Sequence, residues 1–148
     1  MKQWPVCFRV YNPPRTNNGS RGLRYGFWDV MIFRTGEELR SYIRSDNFPG
    51  GAYRRSKFTE GFCRALHKRL PSGKWGPSPN GRRGIVLLNR AFFGVGIVSH
   101  EWTHAAHYEL SRHQKREPIR AKDDERLAWL QGELVRRFWV SYYRRFPR

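Results

Sequence analysis

Acidic residues are scarce in this chain: aspartate and glutamate total 12 against 29 lysines and arginines, a formal charge of +17 over 148 residues. That imbalance works against basic partners and favours polyanions, of which nucleic acid is the commonest inside cells. Cysteine is scarcer still. Cys7 and Cys63 are too few for a disulfide framework and too far apart for a CxxC metal site, so a reducing, cytoplasmic setting is expected. Long apolar runs are also missing. No stretch approaches the roughly 18 residues that a membrane-spanning helix needs, and Met1 to Cys7 lacks the apolar core of a secretory signal.

What is present reads as one domain spanning residues 1–148, long enough to bury a core. Val6 to Tyr11 and Arg24 to Arg34 read as strands around a turn-rich stretch from Asn12 to Ser20. Thr35-Gly36-Glu37-Glu38 matches a capping box and predicts a short helix from Gly36 to Arg44. A strand is expected within Ala52 to Leu66, with Phe62 to Leu70 open to a helical reading, and Pro71 to Gly81 reads as a loop. Gly84 to Asn89 is an apolar, β-branched run of strand length.

The chemistry gathers after that run. His100-Glu101-Trp102-Thr103-His104 is an HExxH pentad on a helix predicted from Gly94 to about Leu110 or Ser111. Positions i and i+4 share a helix face, so both imidazoles can reach one zinc ion. Glu101 then stands beside the metal as general base. Ile97, His100, Thr103, His104 and His107 fall near one face, which directs the histidines towards the body of the fold. His107 belongs beside the site, not on the ion, because three residues spread over two turns of a straight helix cannot share it. A catalytic zinc needs a third protein ligand and an open position. A second helix opens at Asp123-Asp124-Glu125 and runs to about Tyr143, with Glu125, Ala128, Trp129 and Gly132 on one face. Gly132 beside Ala128 points to close packing against the pentad helix, which sets Glu125 over the histidines, with Asp124 and His113 as alternative ligands.

GIVSHEWTHAAHY followed by DERLAWLQGEL resembles the zincin metallopeptidases, in particular the gluzincin-like set and short phage-type or ImmA/IrrE-like domains. The resemblance covers residues 84–134, about a third of the chain. It implies His100, His104 and Glu125 as zinc ligands, Glu101 as base, and a protein or peptide substrate. Two departures stand out. The long metzincin pattern asks for glycine at 107 and histidine at 110, where this chain has His107 and Leu110, and Trp129 occupies the place of an acidic residue that orients a histidine in thermolysin-like proteins.

The expected fold is therefore α+β and zincin-like: a small curved sheet, one helix laid over it, and two C-terminal helices carrying the metal site. Gly84 to Asn89, placed at a sheet edge, would receive an extended peptide. Zinc-dependent peptide hydrolysis is the expected function. The alternative is a basic nucleic-acid-binding protein whose pentad is structural or inactive, its arginines spread over Arg54-Arg55, Arg82-Arg83, Arg136-Arg137 and Arg144-Arg145 among tyrosine and tryptophan.

Overall fold

In the computed structural model the described residues are 4–13, 26–49, 51–53, 60–69, 75–77, 80–114 and 124–147. They form an α+β fold in the order β1 (Val6–Tyr11), β2 (Phe27–Phe33), α1 (Gly36–Arg44), β3 (Gly61–Ala65), β4 (His67–Arg69), β5 (Trp75–Pro77), β6 (Arg82–Asn89), α2 (Val95–Gln114) and α3 (Asp124–Arg145). A 3-10 turn over Arg90–Phe92 links β6 to α2. The main sheet is mixed, in the order β1-β2-β6-β3, with β2 and β6 parallel and both outer pairs antiparallel.

Alternation along the strands divides the core. Phe8, Val10, Trp28, Val30, Val86 and Leu88 face α2 and α3, while Phe33, Ile85 and Leu87 face Leu39 and Ile43 of α1 on the other side. Covering both faces explains the unbroken apolar run in β6, whose residues from Arg83 to Asn89 are all buried. The same observation corrects its expected place: β6 lies between β2 and β3, and β3 is the outer strand. The stretch 61–69, open to a helical reading, is β3 followed by β4, and β4 pairs with β5 inside the expected loop 71–81. Of the expected turn-rich stretch from Asn12 to Ser20, residues 14–20 lie outside the described residues.

The capping box at α1 is formed as expected. The Thr35 side chain accepts from the Glu38 amide at 3.2 Å, and the Glu38 carboxylate accepts from the Thr35 amide at 3.3 Å. α3 begins at Asp124 and carries acidic residues in its first turn and Arg144 and Arg145 in its last, matching the helix dipole.

α2 and α3 run antiparallel. Gln131 touches Ser99 and Thr103, Phe138 packs 6.2 Å from Trp102, and Tyr142 lies 4.8 Å from Phe93, so advancing along one helix means retreating along the other. The Gln131 amide donates to the Thr103 hydroxyl at 2.7 Å, and that hydroxyl donates to the Ser99 carbonyl at 2.8 Å. A second tie joins α2 to the sheet, where the guanidinium of Arg83 and the carboxylate of Glu109 face each other at 3.7 Å with side chains 6% and 0% exposed. Together these fix the rotation of α2, and hence where its polar residues point.

Candidate metal centre

α2 buries Val98, Trp102, Ala105, Ala106, Glu109 and Leu110 against the sheet and α3. The pentad lies on the adjoining face. A groove of about 680 Å³ runs between that face and β3, lined by Ile97, His100, Glu101, His104 and Tyr108 on the helix side and by Glu60, Gly61, Phe62, Cys63 and Ala65 opposite. Trp28 forms part of its floor. The expectation that the histidines turn inward is thereby corrected: His100, His104 and His107 are exposed, Thr103 turns to α3, and within the pentad Glu101 and Trp102 are the buried residues.

The two imidazoles converge. His100 Nε2 and His104 Nε2 lie 3.2 Å apart with their rings nearly perpendicular at 86°. Two nitrogens each about 2.05 Å from a shared tetrahedral ion are separated by about 3.3 Å, so this spacing fits two corners of a zinc site. Burial and the neighbouring His100 and His107 hold the pKa of His104 below its ordinary value. That favours the neutral imidazole that a metal requires.

Glu101 is set differently. It is only 6% exposed, and burial raises its pKa from 4.5 to about 7. A carboxylate that gains and loses its proton near neutrality is suited to general acid–base work. It reaches this position because residue 61 has no side chain: a β-carbon there would lie 2.7 Å from Glu101 Oε1 and 2.9 Å from its Cγ. Burial followed by the charge of Glu101 pushes the neighbouring Cys63 thiol well above its usual pKa, which keeps it protonated and unreactive. Tyr108 packs edge-on against Trp28, ring centroids 5.9 Å apart, along the same wall.

The structure brings His100, His104 and Glu101 together and leaves Glu125 apart. α3 packs through Leu130, Leu134 and Phe138. Glu125 is nine residues before Leu134, which at about 100° per residue puts it on the opposite side of the helix. Glu125, Ala128 and Gly132 are all exposed, and a β-carbon at Gly132 would meet nothing within 4 Å. The expected close packing at Gly132 is therefore corrected, since the leucines and Gln131 make that contact. Asp124 is exposed as well. The side chain of His113 and all of Asp123 lie outside the described residues. Among the described residues no group of three His, Cys, Asp or Glu side chains is arranged to hold a metal ion.

Gly61 and the β3 wall are the functional elements that sequence reasoning missed. A glycine opening a short strand with an arginine in it was the available signal, since short, interrupted strands belong at sheet edges. No described helix is long and apolar enough to cross a membrane. No family model, curated protein or solved structure matches the chain.

Proposed function

We propose that the protein is a zinc-dependent metallopeptidase. The observation that carries this reading is the pair of imidazole nitrogens 3.2 Å apart, beside a buried carboxylate, in a groove walled by the outer strand of a sheet. His100 and His104 supply two ligands to the ion. A zinc ion held there contributes Lewis acidity, lowering the pKa of water and polarising a carbonyl. Glu101 accepts the proton released during attack and returns it to the leaving amine, a shuttle suited to a pKa of about 7. β3 takes the place first expected for β6: an extended polypeptide pairs along this outer strand, which holds its carbonyl over Glu101 and the histidines. The third ligand is proposed from the end of α2 or the start of α3: Glu125 by resemblance to gluzincins, which would have to turn inward from the outer face of α3 to reach the ion, with Asp124 or His113 as alternatives.

Metal content and turnover test the proposal together. The purified protein should carry about one zinc per chain, lose it in His104→Ala, and retain it in Glu101→Gln while cleavage of an unfolded protein substrate stops. Equal, negligible zinc in wild type and His104→Ala would remove the metal reading. Undiminished cleavage by Glu101→Gln would remove the assigned base. Zinc content in Glu125→Ala, Asp124→Ala and His113→Ala identifies the third ligand.

A further inference from the structure

Residues 1–28, 61–100 and 134–148 contain no aspartate or glutamate. The fold brings part of each to one end of the molecule, where α2 begins and α3 finishes. The guanidinium of Arg90 lies 5.2 Å from the Trp4 ring centroid, that of Arg145 lies 5.0 Å from Phe8, and Phe93 packs 5.3 Å from Trp139 and 4.8 Å from Tyr142.

Two kinds of group reach solvent there. Arg90, Arg136, Arg144 and Arg145 are exposed, and so are Phe92 at 54% and Tyr143 at 45%. Arg136, Val140 and Tyr143 follow at i, i+4 and i+7, so they share the outer face of α3. Tyr143 is held flat against Trp139, with an interplanar angle of 23°. The nearest acid in sequence, Glu133, accepts from both Arg136 at 2.7 Å and Arg137 at 2.8 Å, which sets the direction of the two guanidinium groups and leaves the arginines in excess.

We infer that this end binds single-stranded nucleic acid. Guanidinium groups pair with phosphates in a planar, two-point geometry, and exposed aromatic rings stack on unpaired bases of any sequence. A duplex hides those base faces, so the rings select for single strands. Arg90, Arg136, Arg144 and Arg145 accompany Phe92, Val95, Val140 and Tyr143 at this end, and guanidinium groups beside exposed aromatic rings favour a polynucleotide over a lipid bilayer. Val95, at the rim of the surface, is five residues from His100, about 7.5 Å along the helix axis. A bound strand would therefore pass close to the groove. The inference is independent of the hydrolytic reading and stands or falls without it.

Fluorescence anisotropy of the full-length protein with a labelled oligothymidylate of about 20 nucleotides tests it, a length that exceeds typical single-module sites. Affinity should fall with rising salt. Arg90→Glu with Arg144→Glu should weaken binding at least tenfold, while Arg34→Glu with Arg40→Glu, an equal charge change on α1 and its approach, should alter it less than twofold. Phe92→Ala with Tyr143→Ala should cost the single strand about tenfold and leave a duplex little affected, circular dichroism confirming that each variant is folded. Equal losses from the two charge-reversal pairs would overturn the inference, because net charge alone would then explain binding. Unchanged single-strand affinity in the aromatic variant would overturn it too. So would stronger binding to phosphatidylserine vesicles, lost in the same variants, which would make the surface a membrane contact.

Discussion

Replacing Glu101 by glutamine should stabilise the metal-free protein, and by an amount that depends on pH. The wild-type carboxyl titrates at about 7 in the fold against 4.5 when unfolded, because burial disfavours its charge. The folded state therefore binds more protons between those values, and stability falls as pH rises through that window. A shift of about 2.5 pH units corresponds to roughly 3 kcal/mol at about 1.4 kcal/mol per unit. Below pH 4.5 the protonated acid and the amide are near equivalents. Above pH 7 the full penalty applies to wild type alone, so Glu101→Gln should gain roughly 3 kcal/mol, or on the order of 6–12 °C in Tm for a chain of this size. Urea denaturation with chelator present, followed by tryptophan fluorescence from pH 4 to 8.5, measures the difference. The other titrating groups are common to both proteins and cancel. A gap that stays constant across the range would refute the reasoning, and so would a wild type more stable than the variant at pH 8.

Gly61→Ala places a methyl group 2.7 Å from the Glu101 carboxylate. It should reduce hydrolysis at least tenfold while zinc content, read by mass spectrometry, stays near wild type. Gly84→Ala drives a β-carbon into the Trp28 ring and the Arg64 carbonyl on the next strand, and should cost about 1–3 kcal/mol in urea unfolding as overpacking does; an unchanged midpoint would contradict the contact. Glu133, held near pKa 2 by donation from Arg136 and then Arg137, contributes stability that is complete above pH 4.5 and is lost as pH falls towards 2. Glu133→Gln lacks that contribution at every pH, so in urea unfolding its deficit against wild type should be largest above pH 4.5 and close as pH falls towards 2, though solvent exposure keeps the effect small.

Local signals in the sequence were legible where local physics decides. The capping residues Thr35 and Glu38 set the start of α1, and the pentad's i, i+4 spacing set the convergence of His100 and His104. Strand order was not legible, because Val6 to Tyr11 and Gly84 to Asn89 carry no record of which neighbour each will pair with. The unbroken apolar run from Ile85 to Leu88 in β6 did hold a clue, since a strand covered on both faces belongs in the middle of a sheet. For α3 the sequence offered two faces, one with Glu125, Ala128, Trp129 and Gly132 and one with Leu130, Leu134 and Phe138. Burial of the larger apolar surface decides the packing, so Leu130, Leu134 and Phe138 turn inward while Ala128 and Gly132 stay exposed. The wall opposite the pentad was invisible for the same reason as strand order: Gly61 and Glu101 are 40 positions apart and meet only through the fold.

β3 ends the main sheet, and an open sheet margin can be completed by a copy of the same chain as readily as by a guest. Two copies of this chain approaching margin to margin would each carry +17, so mutual repulsion adds a second guard to a boundary that β3 already protects by being five residues long and carrying Arg64. That second guard belongs to the whole molecule, and any polyanion that neutralises it would also lower the barrier to self-pairing.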